Sequence, residues 1–184
     1  MTQLIGLSGS LRKGSYNSAL LRAAVELAPD GCQLQAGSIH GIPLYDGDVE
    51  ASEGLPPAVV ELKDAIAAAD GLILFTPEYN NGVPGVFKNV IDWLSRPASD
   101  IPRVFGGKPV ALCGASRGGF GTVLSQAAWL PVLRTLETRF WSSGRLLVAR
   151  AHTLVDENGR LTDEATRQRL QQFVEGFAAF VRQR

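Results

Sequence analysis

Histidine, cysteine and net charge are what this 184-residue chain has least of, and each shortage removes a class of function. With only two histidines, His40 and His152, and no cysteine cluster, a metal site built from protein ligands is not expected. Cys32 and Cys113 are the only cysteines, each inside an apolar stretch, which favours buried free thiols over a disulfide. Lys plus Arg and Asp plus Glu both number 18, leaving no net charge to attract nucleic acid or an anionic membrane. No apolar run approaches a membrane span. Met1-Thr2-Gln3 leads directly into a strand pattern rather than a signal peptide. Linker-like tracts, internal repeats and low-complexity segments are missing too. The expectation is one domain over residues 1–184, with a sizeable core, working in the cytoplasm.

What is present is organised around Thr76-Pro77-Glu78-Tyr79-Asn80-Asn81-Gly82-Val83-Pro84-Gly85. The apolar run Gly71-Leu72-Ile73-Leu74-Phe75 before it reads as a strand buried on both faces. After it, Phe87, Val90, Ile91 and Leu94 recur along one face of a helix that Pro84 can open. The stretch between is then a loop at the carboxyl end of a central strand, where open α/β sheets hold ligands. One aromatic ring, amide groups and backbone freed by Gly and Pro suit a flat heteroaromatic ligand.

The rest of the chain alternates in the same way. Gln3–Leu7, 32–37, Pro109–Gly114 and Leu146–Ala149 read as further strands, the last beginning as early as Phe140. Helices are expected over Ala19–Leu27, from Pro56-Pro57 through Ile66, from about Thr122 with Pro131 kinking or dividing it, and after a Thr162 cap. His40–Gly54 and Ser95–Gly107, rich in Gly, Pro or Asp, read as loops. Five strands alternating with five helices imply a parallel sheet covered on both faces; the pattern alone does not give the strand order.

Three loops leave the same sheet edge. Ser8–Asn17 offers hydroxyls on Ser10, Ser15 and Ser18, the Asn17 amide, the Arg12 guanidinium and a helix N-terminus, the makings of a phosphate site. An ordinary strand–helix turn with a capping serine uses the same residues. Neither the triphosphate-loop ending nor the three-glycine dinucleotide fingerprint is present. The third loop, Ser116-Arg117-Gly118-Gly119-Phe120-Gly121, lets backbone approach a ligand, although a flexible turn explains it more simply. Glu78 and Asp92 have no histidine near them in sequence, so a carboxylate catalyst is not favoured. Trp93, Trp129 and Trp141 suit a core or an interface.

Gly9-Ser10-Leu11-Arg12-Lys13-Gly14-Ser15-Tyr16-Asn17, then Pro77-Glu78-Tyr79-Asn80 and Pro84-Gly85-Val86-Phe87-Lys88-Asn89-Val90-Ile91-Asp92-Trp93-Leu94-Ser95-Arg96-Pro97, closely resemble the NAD(P)H-dependent FMN reductase family, nearest its quinone and chromate reductases. The match covers nearly the whole chain. It implies a flavodoxin-like three-layer sandwich with a five-stranded parallel sheet of order 2-1-3-4-5, and bound FMN with NADPH or NADH as co-substrate. By that resemblance Ser10, Arg12, Ser15 and Asn17 hold the FMN phosphate, and Pro77, Glu78, Tyr79 and Asn80 line the isoalloxazine, largely through backbone. Ser116 and Gly119 close the other side. A homodimer or homotetramer is implied, with Trp93 and the Phe87 helix as candidates for the subunit boundary.

Two departures from the usual family pattern stand out. Asn81-Gly82 replaces a larger or hydroxylated pair, implying a more open ring pocket. Arg117 sits among small residues; it is either a contact for the donor's phosphate or a solvated surface arginine. The resemblance implies reduction of quinones, chromate, azo or nitro compounds by hydride transfer through FMN, with no catalytic side chain. Two other readings stay open: a flavodoxin-type electron carrier, and an FMN-binding regulatory module, neither with its own nicotinamide site.

Overall fold

The computed structural model describes residues 1–183. Its centre is a parallel sheet of β1 (Thr2–Ser8), β2 (Cys32–Gly37), β3 (Gly71–Phe75), β4 (Pro109–Ala115), β5 (Arg139–Phe140) and β6 (Leu146–Val148). The order is β2-β1-β3-β4-β5, with β6 also pairing β4. This is the flavodoxin-like order that the resemblance implied. The helices are α1 (Tyr16–Glu26), α2 (Gly47–Glu53), α3 (Pro57–Ala68), α4 (Gly85–Leu94), α5 (Ile101–Val104), α6 (Val123–Thr135) and α7 (Glu164–Arg182). No helix among the described residues is long and apolar enough to cross a membrane.

Alternation along each strand sorts the core into two layers. Ile5, Leu7, Leu72, Leu74, Val110 and Leu112 face α3, α4, α5 and α6. Leu4, Ile73, Phe75, Ala111, Cys113 and Ala115 face α1 and α7. Every residue of β3 is buried, as the continuous apolar run predicted; each large apolar side chain so placed contributes about 1.5–3 kcal/mol. Cys113 is fully buried and its thiol is pushed well up by desolvation, whereas Cys32 is only half-buried.

Several expectations need correction. The segment 40–54 is not all loop, because α2 forms there. Asp46 caps it, accepting from the Asp48 N–H at 2.9 Å, and Gly54 ends it at φ 79°. No residue of α2 is buried. The helix is tied down by the Glu50–Arg96 ion pair at 2.9 Å, and Arg96 holds the Glu50 carboxyl below its usual range. The segment 95–107 likewise contains a 3₁₀ turn (Ala98–Asp100) and α5. Lys63, one of the buried residues of α3, reaches this segment through Asp100 at 2.7 Å and the Arg96 carbonyl.

Pro131 does not divide α6. It and Ala127, whose carbonyl loses a partner, are both exposed, so water can satisfy that group. The last strand is split into β5 and β6, since the chain between them detours around Trp141. That ring packs 5.2 Å from Phe173 and 5.7 Å from Phe177, and Gly144 lies against it with no room for a Cβ. The cap of α7 is Asp163, accepting from the Thr166 N–H at 2.8 Å, while Thr162 turns to the Leu154 carbonyl. Trp93 is fully buried in its own chain and donates to the Pro43 carbonyl at 2.9 Å, so its side chain is not available to a subunit boundary.

The closest approach in the sheet is at Gly114. A Cβ there would overlap the Thr76 carbonyl oxygen and lie 2.5 Å from Thr122 Oγ1. Because the obstacle is mainly backbone, Gly114→Ala is expected to destabilise by about 3 kcal/mol, the upper part of the overpacking range. A midpoint shift smaller than roughly 2 °C in thermal unfolding would contradict this reading.

Candidate functional site

Because β1, β3 and β4 are parallel, the loops 9–15, 76–84 and 116–122 all leave one edge of the sheet. The first begins at Gly9, which lies flat on the Phe87 ring where a Cβ would collide, and its N–H donates to the Phe75 carbonyl at 3.0 Å. Ser10 Oγ accepts from the Arg12 N–H at 3.3 Å. Ser15 caps α1 by accepting from the Ser18 N–H at 3.2 Å. Both hydroxyls are buried, and each keeps its own proton to donate.

The N–H groups of Tyr16 and Asn17 have no partner among the described residues, and no acidic residue sits in the first turn of α1. This helix end therefore presents free donors and a positive field. Arg12, 6.0 Å from the Tyr16 ring, and Lys13 add charge with no ion pair among the described residues. The Asn17 side chain does something the sequence did not reveal. It donates to the Ala115 carbonyl and accepts from the Ala115 N–H, both at 2.9 Å, clamping α1 to the end of β4. Its contribution to an anion is the backbone N–H.

In the second loop Thr76 is fully buried. Its hydroxyl donates to the Pro77 carbonyl at 2.9 Å and accepts from Trp129 Nε1 at 3.0 Å, with Ser125 Oγ 2.9 Å away. Tyr79 to Gly82 forms a tight turn closed by paired backbone bonds of 3.0 and 3.3 Å. Asn80 and Asn81 sit at its centre with φ 49° and 62°, a left-handed pair that asparagine tolerates better than most residues. The N–H groups of Glu78, Asn80 and Asn81 are left without partners among the described residues. The Glu78 carboxylate turns away to α6, accepting from the N–H groups of Leu124 and Ser125 at 2.8 and 2.9 Å. Thr122, which precedes α6, makes no side-chain cap, so Glu78 supplies it from another loop.

In the third loop the Ser116 hydroxyl donates to the Gly121 carbonyl at 2.6 Å, folding the loop on itself. Together the three loops enclose a cavity of about 380 Å³. Nine of the ten residues predicted for the site line it: Ser10, Arg12, Ser15, Asn17, Pro77, Glu78, Tyr79, Asn80 and Ser116. Gly119 does not; Gly118 lines it instead. Tyr16, Asn81, Ala115 and Arg117 line it as well. The Asn-Asn-Gly turn chemistry was a usable signal for Asn81, and the 3.6-residue repeat gives none for Tyr16. His40 and His152 are exposed, and no group of three metal-binding side chains occurs among the described residues. The cavity holds donors and cations, with Glu78 as a carboxylate already engaged by α6 and no histidine in the lining to pair with it.

A family model for NADPH-dependent FMN reductase matches residues 2–153. The chain belongs to that family. An NAD(P)H-dependent FMN reductase of Pseudomonas aeruginosa is 43% identical over 180 residues, spanning 98% of this chain and 95% of the relative. A 2-hydroxy-1,4-benzoquinone reductase of a Burkholderia species is 39% identical over 176 residues, spanning 96% and 94%. Among solved structures, the flavoenzyme NAD(P)H:(acceptor) oxidoreductase FerB of Paracoccus denitrificans superposes with a TM-score of 0.85. It is 34% identical and covers 98% of this chain and 97% of its own. The protein is therefore an oxidoreductase of the FMN reductase family.

The donor set fits the family's cofactor: unpaired N–H groups and cations at one end for a phosphate, unpaired backbone donors along the other for a ring with carbonyl and nitrogen acceptors. In this FMN reductase family member Glu78 positions that second row by holding the loop to α6. Glu78→Ala is expected to lower stability by about 0.5–2 kcal/mol, as for other lost caps, and to weaken FMN binding. Glu78→Gln, which keeps an acceptor, should recover most of both. Urea unfolding and fluorescence titration with FMN read the two effects; an unchanged Glu78→Ala variant would remove this role.

Proposed function

We propose that this chain binds FMN in the three-loop cavity, within one domain over 1–184, and uses NADPH or NADH to reduce quinones and similar acceptors. The observation that carries the reading is the lining itself. Nine residues predicted from motifs on separate loops meet at one cavity rich in unpaired donors.

Ser10, Arg12 and Ser15, with the Tyr16 and Asn17 N–H groups, bind the phosphate, the guanidinium adding the strongest single contact. Pro77, Glu78, Tyr79 and Asn80 line the isoalloxazine, and the free N–H groups of Glu78, Asn80 and Asn81 are the backbone donors that stabilise negative charge on the reduced ring. The third loop, through Ser116 and Gly118, bounds the remaining side. When bound, FMN supplies the hydride-accepting N5 and the electrons passed on to the acceptor. The chain's task is to orient the cofactor and leave one face open, which donor and acceptor occupy in turn, giving ping-pong kinetics. Chromate, azo and nitro compounds belong to the same class of acceptor. No side chain is asked to carry a proton, consistent with Glu78, the carboxylate that lines the cavity, being engaged by the N–H groups of α6.

We also propose a cytoplasmic homodimer or homotetramer. The exposed apolar side chains Leu44, Tyr79, Phe120, Leu124 and Leu130 favour self-association, and the half-buried Cys32 and buried Cys113, both free, suit a reducing compartment.

The test begins with purified protein, which is expected to be yellow with bound FMN. Anaerobic rapid mixing with NADPH or NADH should bleach the flavin band in one step. Arg12→Ala should raise the FMN dissociation constant about tenfold or more, the worth of one charge-assisted hydrogen bond. Flavin that binds yet stays oxidised with both donors would point to an electron carrier or a regulatory module.

A further inference from the structure

The flavin reading gives no task to one cation that lines the cavity, Arg117, or to a second, Arg150, whose backbone is bonded to the same loop. Arg117 lines the mouth and is exposed. Arg150 is exposed as well, and the side chains of neither take part in an ion pair or hydrogen bond among the described residues. The backbone joins them into one unit. The Arg150 N–H donates to the Gly118 carbonyl at 3.0 Å, and the Ala151 N–H to the Ser116 carbonyl at 2.9 Å. Arg117 is thus bracketed by residues bonded to the 150–151 pair. Arg150 is held there at φ 50°, a left-handed conformation unfavourable to a long side chain.

No acid competes for these guanidinium groups. Glu78 is the single carboxylate lining the cavity, and the oxygen that turns to α6 already accepts two N–H groups. Arg12, the other cation that lines the cavity, lies on the first loop with Lys13 next to it in sequence, beside the helix end that suits the flavin phosphate.

We propose that Arg117 and Arg150 form a binding site for the 2′-phosphate of NADPH, making the enzyme prefer NADPH over NADH. The inference rests on the nicotinamide-dependent reading above. A terminal phosphate monoester carries close to two negative charges at neutral pH, matching two guanidinium forks. Each phosphate of the bridging pyrophosphate carries one. Arginine's planar fork fits phosphate oxygens in pairs, which a lysine at the same place would not do.

The experiment compares the FMN-loaded wild type with Arg117→Ala, Arg150→Asn and the double variant. Asparagine is chosen because it tolerates the left-handed backbone. Calorimetry measures binding of 2′-phospho-ADP-ribose and of ADP-ribose to each; rapid mixing measures flavin bleaching by NADPH and NADH. In the wild type the 2′-phosphorylated nucleotide should bind about tenfold or more tighter than ADP-ribose. In the double variant that preference, and the NADPH-to-NADH ratio of bleaching rates, should fall by about the same factor. Each single variant should fall part-way. A wild type without the preference, or a double variant that keeps it or loses affinity for both nucleotides alike, would overturn the proposal while leaving the flavin reading intact. Wild-type flavin that neither donor bleaches would overturn both.

Discussion

Parallel pairing of β1, β3 and β4 is the constraint on which the site depends. Three strands pointing one way must release their following loops at one edge. Parallel pairing alone sets the loops side by side without fixing their heights and angles. Buried polar clamps do that. Asn17 joins α1 to the end of β4 through both its amide atoms. Thr76, with Ser125 and Trp129, joins the end of β3 to α6. Glu78 fastens the following turn to the N-terminus of the same helix. Gly114 and Gly9 permit the approach by having no side chain to obstruct it. Each clamp is a side chain bonded to backbone or to another buried polar group, and no buried side-chain donor or acceptor among the described residues lacks a partner. A polar network that is fully satisfied rigidifies its surroundings rather than weakening them.

This arrangement divides labour between side chains and backbone. Polar side chains that look like ligands in the sequence, Asn17 and Glu78 above all, are spent on holding the loops. The groups left free among the described residues include the N–H donors of Tyr16, Asn17, Glu78, Asn80 and Asn81. Backbone donors held by a rigid frame need no reorganisation when charge develops on a bound ring, which is the condition for efficient electrostatic stabilisation. The lack of any acid–base pair is then part of the same economy: where a cofactor carries the redox chemistry, the frame has only to aim it.

Much of this was legible in the sequence. The buried run 71–75, the apolar stripe of α4 and the loops at strand ends follow from periodicity and punctuation, and the motifs named nine of the cavity's residues. The misses have particular causes. In 40–54 the Asp46 cap and the Gly54 terminator were present, but a helix with no buried face lacks the apolar repeat by which helices are recognised. Trp141 breaks the last strand through a contact with α7, distant in sequence and invisible to local pattern. Thr162 and Asp163 are both good caps, and only the pull of the Leu154 carbonyl on Thr162 decides between them. The double duty of Asn17 and Glu78 was hidden for the same reason: their partners lie 98 and 46 or 47 residues away.

The three loops differ in how they are tied down. The first is held by the Gly9 N–H and the Asn17 clamp, and the second by Thr76 and Glu78, so part of the ordering that binding would cost is already in place. The third is anchored mainly at its base, by Ser116 and the 150–151 backbone. A Cβ added at Gly119 would touch nothing, one added at Gly118 only the Ser116 hydroxyl, and Phe120 is 83% exposed. A ligand held by the first two loops should stay, whereas one that leans on the third must order it and should leave readily. In the proposed function a resident cofactor and exchanging donor and acceptor need those two behaviours side by side, from loops at the strand ends of a single sheet.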